Sequence, residues 1–492
     1  MPHAAQAAIE RFLKASRRPV LIEPGEEPIQ LNPDHYLLEL RGDRLLLQAW
    51  DEARNLARRV LEIGSEQPGR LDLVVEHFGK RTSALWLIDQ DQPKHRTVTR
   101  HGTRLVFRER FRRFLARQFA GWKIAELSTE PDLTHSLSPS FPRAMVKKGG
   151  VAWAAIGAGP DGSDPAGALT FGLIWLDYLR RREPRLTLAG LTLLVPADGE
   201  RTLLQRLRYL DSRVAAWKVF VYSEEGFEAP VDPADYGNLS SELSLCHTPA
   251  PAAASDLLGR VLSLPGVEAV SLGDGSLSLR VHGLEFAAAS GDGLVFGLHE
   301  KRRARQSDFA EIEQLTATLG RLRSPTARDR LNPLYLDRPE RWLESAVRTH
   351  LERIDATLLP SPVYGQVPAV AGGERGVIDL VAAERSGRLA VLELKAAEDV
   401  HLPLQALDYW MRVKWHLDRA EFSPRGYFPG LALSPVAPRL LLIAPALDFH
   451  PTTETILRFF SPDIEVERIG LGVEWKKLPQ VMFRMRGAQR PG

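Results

Sequence analysis

Near its C-terminal end the chain sets two acids and a lysine into otherwise apolar segments: Ile378-Asp379-Leu380-Val381, then Val391-Leu392-Glu393-Leu394-Lys395. Glu393 and Lys395 are two residues apart, so in a strand both side chains leave one face while Leu392 and Leu394 point the other way. Charged groups on an apolar strand are costly unless something there needs them. Val377, Val381, Leu389 and Val391 fall on the same faces as the charges, so a solvated side of a hairpin accounts for them poorly. Two carboxylates on one face can hold a hard divalent cation, Mg2+ or Mn2+, that keeps positions open for water and a phosphate oxygen. A lysine beside them can orient or deprotonate that water, its pKa depressed by the neighbouring cation. The bond such a set is suited to break is a phosphodiester.

The surrounding elements must bring these groups together. The order expected from pattern is a helix over 339–356, strands over 362–370, 376–383 and 389–396, and a helix over 402–417. After an irregular insertion to residue 438 come a strand over 439–444, a helix over 451–460 and a strand over 464–469. Between the second and third strands, Arg385-Ser386-Gly387 reads as a three-residue hairpin loop with Gly387 left-handed. That loop pairs Glu384 with Arg388 and, counting outward, Asp379 with Glu393, on one face. A two-residue loop would send the carboxylates to opposite faces. Glu344 shares a helical stripe with Val347 and Leu351 and is expected to point inward and join the metal site. Gln405 and Tyr409, four apart, share a helix face.

Asp379, thirteen intervening residues, then Glu393-Leu394-Lys395 resembles the signature of the PD-(D/E)XK nuclease superfamily. Ile378 stands where that signature often has proline. The helix carrying Trp342-Leu343-Glu344-Ser345 and the Gln405…Tyr409 pair are similar to features of its RecB-like branch. The resemblance covers roughly residues 335–470. It implies a restriction-endonuclease-like αβββαβ core with a mixed sheet. It further implies catalytic roles for Asp379, Glu393, Lys395, Glu344, Gln405 and Tyr409, with the metal on Asp379, Glu393 and Glu344. The expected activity is Mg2+- or Mn2+-dependent hydrolysis of nucleic acid, DNA before RNA. A non-catalytic nucleic-acid-binding or adaptor protein on a nuclease scaffold, and a nuclease acting on RNA, stay open as alternatives.

The rest of the chain sets bounds. At 492 residues it is too long for one core, and a multidomain α/β protein is expected. Expected regions are 1–125 (α/β), 126–250 (α/β), 255–330 (a small antiparallel meander plus helix) and 335–492 (the nuclease-like domain). Residues 1 to about 330 are expected to fold without the last of these. Within 1–125, strands are expected over 36–40 and 71–76 and helices over 51–63 and 107–119. Within 126–250, helices over 169–182 and 201–214 alternate with strands. The formal charge of +2 gives no global basic field, so a nucleic acid would need local clusters. Arg302, Arg303, Arg305, Arg321 and Arg323 form one such cluster before the presumed active site. A single cysteine, Cys246, excludes an internal disulfide framework and a cysteine-built zinc site. No apolar run reaches membrane-spanning length, and a soluble, cytoplasmic chain is expected, with a possible protein partner for its N-terminal regions. Residues 71–89 loosely echo the Asp379…Glu393 hairpin but carry no lysine after Asp89.

Overall fold

A computed structural model describes residues 2–22, 29–31, 36–42, 44–50, 55–67, 69–76, 82–89, 100–132, 134–159, 164–223, 226–237, 241–246, 256–272, 275–298, 300–371 and 374–489. The chain divides into two compact units, residues 1–118 with 159–163, and residues 119–158 with 164–492.

The first unit comprises α1 (Pro2–Ala15), β1 (Pro19–Ile22), β2 (Ile29–Gln30), β3 (Tyr36–Arg41), β4 (Arg44–Trp50), β5 (Asn55–Gln67), β6 (Arg70–Glu76), β7 (Thr82–Asp89) and α2 (Arg100–Gln118). Among the described residues its strands form a seven-stranded sheet in the order β2-β1-β7-β6-β5-β4-β3, every pairing antiparallel. Ala5, Ala8, Ile9 and Phe12 of α1 share a core with alternating sheet residues such as Leu45, Leu47, Leu71, Leu73 and Leu85. The helix expected over 51–63 is instead the strand β5. Leu56, Val60 and Ile63 have helix-like spacing, but β5 bulges between Val60 and Glu62 and again between Ile63 and Ser65. The first bulge shifts the alternation and returns Ile63 to the core face, so a strand acquires helical spacing. The 71–89 echo is not a second core: β6 and β7 pair Asp72 with Trp86, and the sheet around them is wholly antiparallel.

The second unit opens with β8 (Lys123–Ser128), β9 (Arg143–Lys148), β10 (Val151–Gly157), α3 (Gly167–Arg182), β11 (Thr187–Pro196), α4 (Arg201–Leu207), β12 (Ala216–Tyr222) and β13 (Glu228–Val231). Among the described residues these strands form a six-stranded mixed sheet in the order β13-β12-β11-β10-β9-β8. The pairs β10–β11 and β11–β12 are parallel and the rest antiparallel. Helix α4 is shorter than the 201–214 expected. After β14 (Ser241–Leu243) come α5 (Asp256–Leu262) and the strands β15 (Val267–Ser271), β16 (Leu277–Val281), β17 (Leu284–Ser290), β18 (Gly293–Phe296) and β19 (Arg302–Arg303). These last five strands pair in sequence as the expected antiparallel meander. Helix α6 (Phe309–Leu322) closes its core through Ile312 and Leu319.

The last part holds α7 (Pro333–Leu336), α8 (Pro339–Thr349), α9 (Leu351–Ile354), β20 (Tyr364–Ala371), β21 (Glu374–Ala383), β22 (Leu389–Leu394) and α10 (Leu402–Asp418). It ends with β23 (Arg439–Pro445), α11 (Thr453–Leu457), β24 (Val466–Leu471) and β25 (Val481–Arg486). The expected first helix is thus two, α8 and α9, divided at His350. Among the described residues the sheet order is β14-β20-β21-β22-β23-β24-β25, with β22–β23 and β23–β24 parallel. The expected boundaries near 250 and 335 do not separate cores. Strand β14 pairs with β20, and one hydrophobic cluster joins Leu173, Leu176 and Leu207 of the first mixed sheet's helices to Val391, Leu407 and Leu442. The middle region therefore does not carry a complete core of its own.

Candidate active site

The hairpin between β21 and β22 sets the geometry. Gly387 has φ 81°, Glu384 N donates to Arg388 O at 2.7 Å and Gly387 N donates to Glu384 O at 2.9 Å. Leu380 pairs with Leu392 and Val381 with Val391, so the register carries Asp379 opposite Glu393. The ladder stops there. The Leu394 amide donates to Asp379 Oδ2 at 2.9 Å, and the next amide, Lys395 N, donates to Ile443 O on β23 at 3.0 Å. The Asp379 carboxylate thus takes the place of a ladder carbonyl, which parts the strands at the site.

Alternation divides the hairpin between two cores. Leu380, Ala382, Ala390, Leu392 and Leu394 face the cluster of α8 and α9. Val381, Ala383, Leu389 and Val391 face the cluster containing α10, and Asp379, Glu393 and Lys395 fall on that side. Glu393 is 1% exposed, and its Oε2 has no hydrogen-bond partner among the described residues. Burial and then the Asp379 carboxylate push its pKa well above the usual carboxylate range. Burial raises Asp379 to about 6; the Leu394 amide opposes the rise and Glu344 adds to it. Two buried like charges side by side are tolerable chiefly when a cation lies between them.

Lys395 Nζ lies 3.7 Å from Glu393 Oε1 and 3.2 Å from Asp399 Oδ2. Burial alone would lower its pKa, but Glu393 and Asp399 outweigh burial and hold it above the usual lysine value. The depression expected from a neighbouring cation is therefore absent while the carboxylates carry their own charge. Tyr409 is buried, which raises its pKa, and Glu393 acts next in the same direction. Its hydroxyl accepts from Gln405 Nε2 at 3.1 Å. Gln405 and Tyr409 thus share a face as expected, and Tyr409 senses Glu393, Asp379 and Lys395.

Glu344 lies elsewhere. It is 2% exposed, with Oε1 bound by Arg348 Nη2 at 2.9 Å and Arg280 Nη1 at 3.3 Å, and Oε2 by Arg341 Nη1 at 2.9 Å. A Cβ on Gly365, which pairs with Leu380, would come 2.8 Å from Glu344 Oε1. Glu344 therefore sits on the α8 side of the sheet, behind the carboxylate pair, with three guanidiniums closing it to direct metal ligation. It reaches Asp379 only through its field. Consistent with that, among the described residues no group of three or more His, Cys, Asp or Glu side chains is arranged to hold a metal ion. Asp379 and Glu393 remain as ligands, and two carboxylates with water suffice for Mg2+. The unpartnered Glu393 Oε2 fits that use.

The basic cluster is corrected in one member and qualified in another. Arg323 is fully buried, donating to His282 O at 2.9 Å, to Leu334 O and Asp337 O at 2.6 Å each, and to Arg338 O at 3.2 Å. It clamps backbone carbonyls and cannot meet a nucleic acid. Arg302 pairs with Glu311 and, at 3.3 Å, with Asp308. Arg303, Arg305 and Arg321 are exposed.

Three contributors went unseen in the sequence: Asp399 on Lys395, Arg280 reaching Glu344 from the meander, and His401, whose backbone N–H donates to Asp399 Oδ1 at 2.7 Å. Asp399 follows Lys395 by four residues, a helical spacing, but the segment is a loop, so spacing gave no signal.

No protein-family model matches the chain, and no curated protein matches it. Among the described residues no helix is long and apolar enough to cross a membrane.

Proposed function

We propose that the chain is a metal-dependent nuclease of the PD-(D/E)XK type, with a restriction-endonuclease-like core in its C-terminal part, hydrolysing phosphodiester bonds and preferring DNA. The observation that carries this reading is the buried Asp379–Glu393 pair, opposed across one hairpin face, with an unpartnered Glu393 oxygen and Lys395 beside it. Asp379 and Glu393 would hold Mg2+ or Mn2+, which when bound polarises a phosphate oxygen and acidifies a water. Asp379 is oriented for this by the Leu394 amide, which fixes Oδ2 and leaves Oδ1 for other partners. Lys395 holds its ammonium at the carboxylates while they are charged. Once their charge is neutralised it loses that support, its pKa falls, and it can take a proton from the attacking water. Tyr409, held by Gln405, lines the α10 wall where the substrate backbone would lie. Glu344 and its arginines set the field behind Asp379 and bind no metal in this reading. The first unit would serve substrate choice or docking of a protein partner.

The test is incubation of the purified chain with single- and double-stranded DNA and RNA, with Mg2+, Mn2+ or chelator. Metal-dependent cleavage of DNA is expected, lost on Lys395→Ala by roughly 10²- to 10⁴-fold, the usual span for a general acid–base group. Cleavage that survives chelator, or full activity in Lys395→Ala, contradicts the assignment. Cleavage confined to RNA would change the substrate and keep the mechanism.

A further inference from the structure

The two mixed sheets of the second unit repeat one plan. Each runs as three antiparallel strands, a long helix, a parallel strand, a short helix, a second parallel strand and an antiparallel strand. The elements are β8-β9-β10-α3-β11-α4-β12-β13 in one and β20-β21-β22-α10-β23-α11-β24-β25 in the other. The registers agree residue by residue around the site. Ile156 pairs in parallel with Leu193 as Glu393 does with Leu442. The following bonds match too, Ala158 N to Leu194 O at 2.9 Å and Lys395 N to Ile443 O at 3.0 Å. Across the antiparallel neighbour, Ile156 faces Arg143 where Glu393 faces Asp379. The first sheet therefore places Arg143, Ile156 and Ala158 where the second has Asp379, Glu393 and Lys395. A cation, a branched apolar chain and a methyl group can neither hold a divalent metal nor handle a water.

The two copies meet in a contact that reads the same from either side. Three residues beyond each short helix, Leu210 and Phe460 form an antiparallel bridge. Asp211 N donates to Phe459 O at 2.7 Å, and Ser461 N donates to Tyr209 O at 2.8 Å. The short helix of each copy also sends an arginine to an aspartate on the long helix of the other, Arg206 to Asp408 at 2.8 Å and Arg458 to Asp177 at 3.5 Å. This is a local twofold.

We infer that residues 123–231 are a second, catalytically silent copy of the C-terminal core, retained as a built-in subunit that positions Lys395 in the competent copy. A continuous line of polar contacts carries the positioning. Thr170, fully buried in the first turn of α3, sets its hydroxyl 3.0 Å from His401 Nδ1, and the Phe171 ring meets the same imidazole edge-on at 5.5 Å. The His401 backbone N–H holds Asp399 Oδ1 at 2.7 Å, and Asp399 Oδ2 holds Lys395 Nζ at 3.2 Å. Arg206 fixes the other end of the contact, gripping Asp408 beside Tyr409 while its Nη1 donates to Ala166 O at the start of α3. Thr170, His401 and Arg206 are positioning residues: they act through Asp399 and α10 and touch no reacting atom.

The catalytic meaning of this brace rests on the nuclease reading, but the brace itself is measurable without it. Hydrogen exchange of the full chain, free of metal and substrate, reads the backbone amides of residues 395–405. Thr170→Val keeps shape and removes the hydroxyl; His401→Phe removes the same contact from the other copy and guards against a misfolded first variant. Each should speed exchange there by about three- to tenfold, the scale of one lost buried hydrogen bond, while Thr170→Ser stays near wild type. In the cleavage assay Thr170→Val should lower kcat and leave KM unchanged, with Thr170→Ser restoring it. Wild-type exchange in both Thr170→Val and His401→Phe overturns the positioning role. A wild-type chain that cleaves nothing removes the nuclease reading and leaves the exchange result to decide the brace.

Discussion

Replacing Asp379 with asparagine should stabilise the metal-free chain at neutral pH. Burial lifts Asp379 from 3.8 to about 6. At about 1.4 kcal/mol for each unit, the folded state then carries roughly 3 kcal/mol of penalty once the carboxylate ionises. The sign follows from linkage. A raised folded pKa means the native state binds the proton more tightly, so its stabilisation is complete below pH 3.8 and is lost as pH rises through about 6. Above that the loss is constant. Glu393, raised in the same direction by burial and then by Asp379, adds to it. Asparagine keeps an oxygen for the Leu394 amide and carries no charge. Thermal melting in chelator at pH 8 should place Asp379→Asn about 4 °C above wild type, and about half that at pH 5. Saturating Mg2+ or Mn2+ should raise the wild type and leave the variant where it was. An Asp379→Asn chain that melts below wild type at pH 8 in chelator would show the carboxylate to be stabilising, and the argument from like-charge strain would be wrong.

Arg323→Ala strips donors from four carbonyls at once and should cost at least about 3 kcal/mol in a melt of the full chain, without any direct effect on nucleic-acid binding. Neutralising Arg303, Arg305 and Arg321 together should flatten the logarithmic salt dependence of DNA binding by about one unit of slope for each phosphate these arginines meet; an unchanged slope makes them ordinary surface charges. A chain ended near residue 330 loses β20 to β25 and α10, so it should be insoluble or molten by near-ultraviolet circular dichroism; a cooperative melt from it would contradict the shared core.

What the sequence made legible was local. The hairpin length, Gly387 in the left-handed region and the alternation of Val381, Asp379, Val391 and Glu393 follow from turn chemistry and a period of two, and the structure carries them in the expected register. The misreadings came from interactions that one stretch of sequence does not contain. Bulges in β5 gave a strand helical spacing. Glu344 does point inward, but towards Arg280, Arg341 and Arg348, and Arg280 lies in a different sheet. Arg323 looked like a member of a basic patch, yet its burial is set by His282, by carbonyls eleven to fifteen residues downstream and by the Trp342 ring. The repeated core was hidden because Arg143, Ile156 and Ala158 preserve no charge pattern; strand directions and register reveal it, and a search for motifs sees nothing there.

The central claim is that Asp379 and Glu393 together hold one divalent cation next to Lys395. Titration of Mn2+ into the full-length chain, followed by electron paramagnetic resonance of the free ion, tests it without reference to any substrate. One site should appear that Mg2+ competes for, and it should vanish in both Asp379→Asn and Glu393→Gln while surviving Glu344→Gln, whose carboxylate is closed by arginines. A Mn2+ site that persists in Asp379→Asn and Glu393→Gln, or the lack of any site in the wild type, would contradict the account.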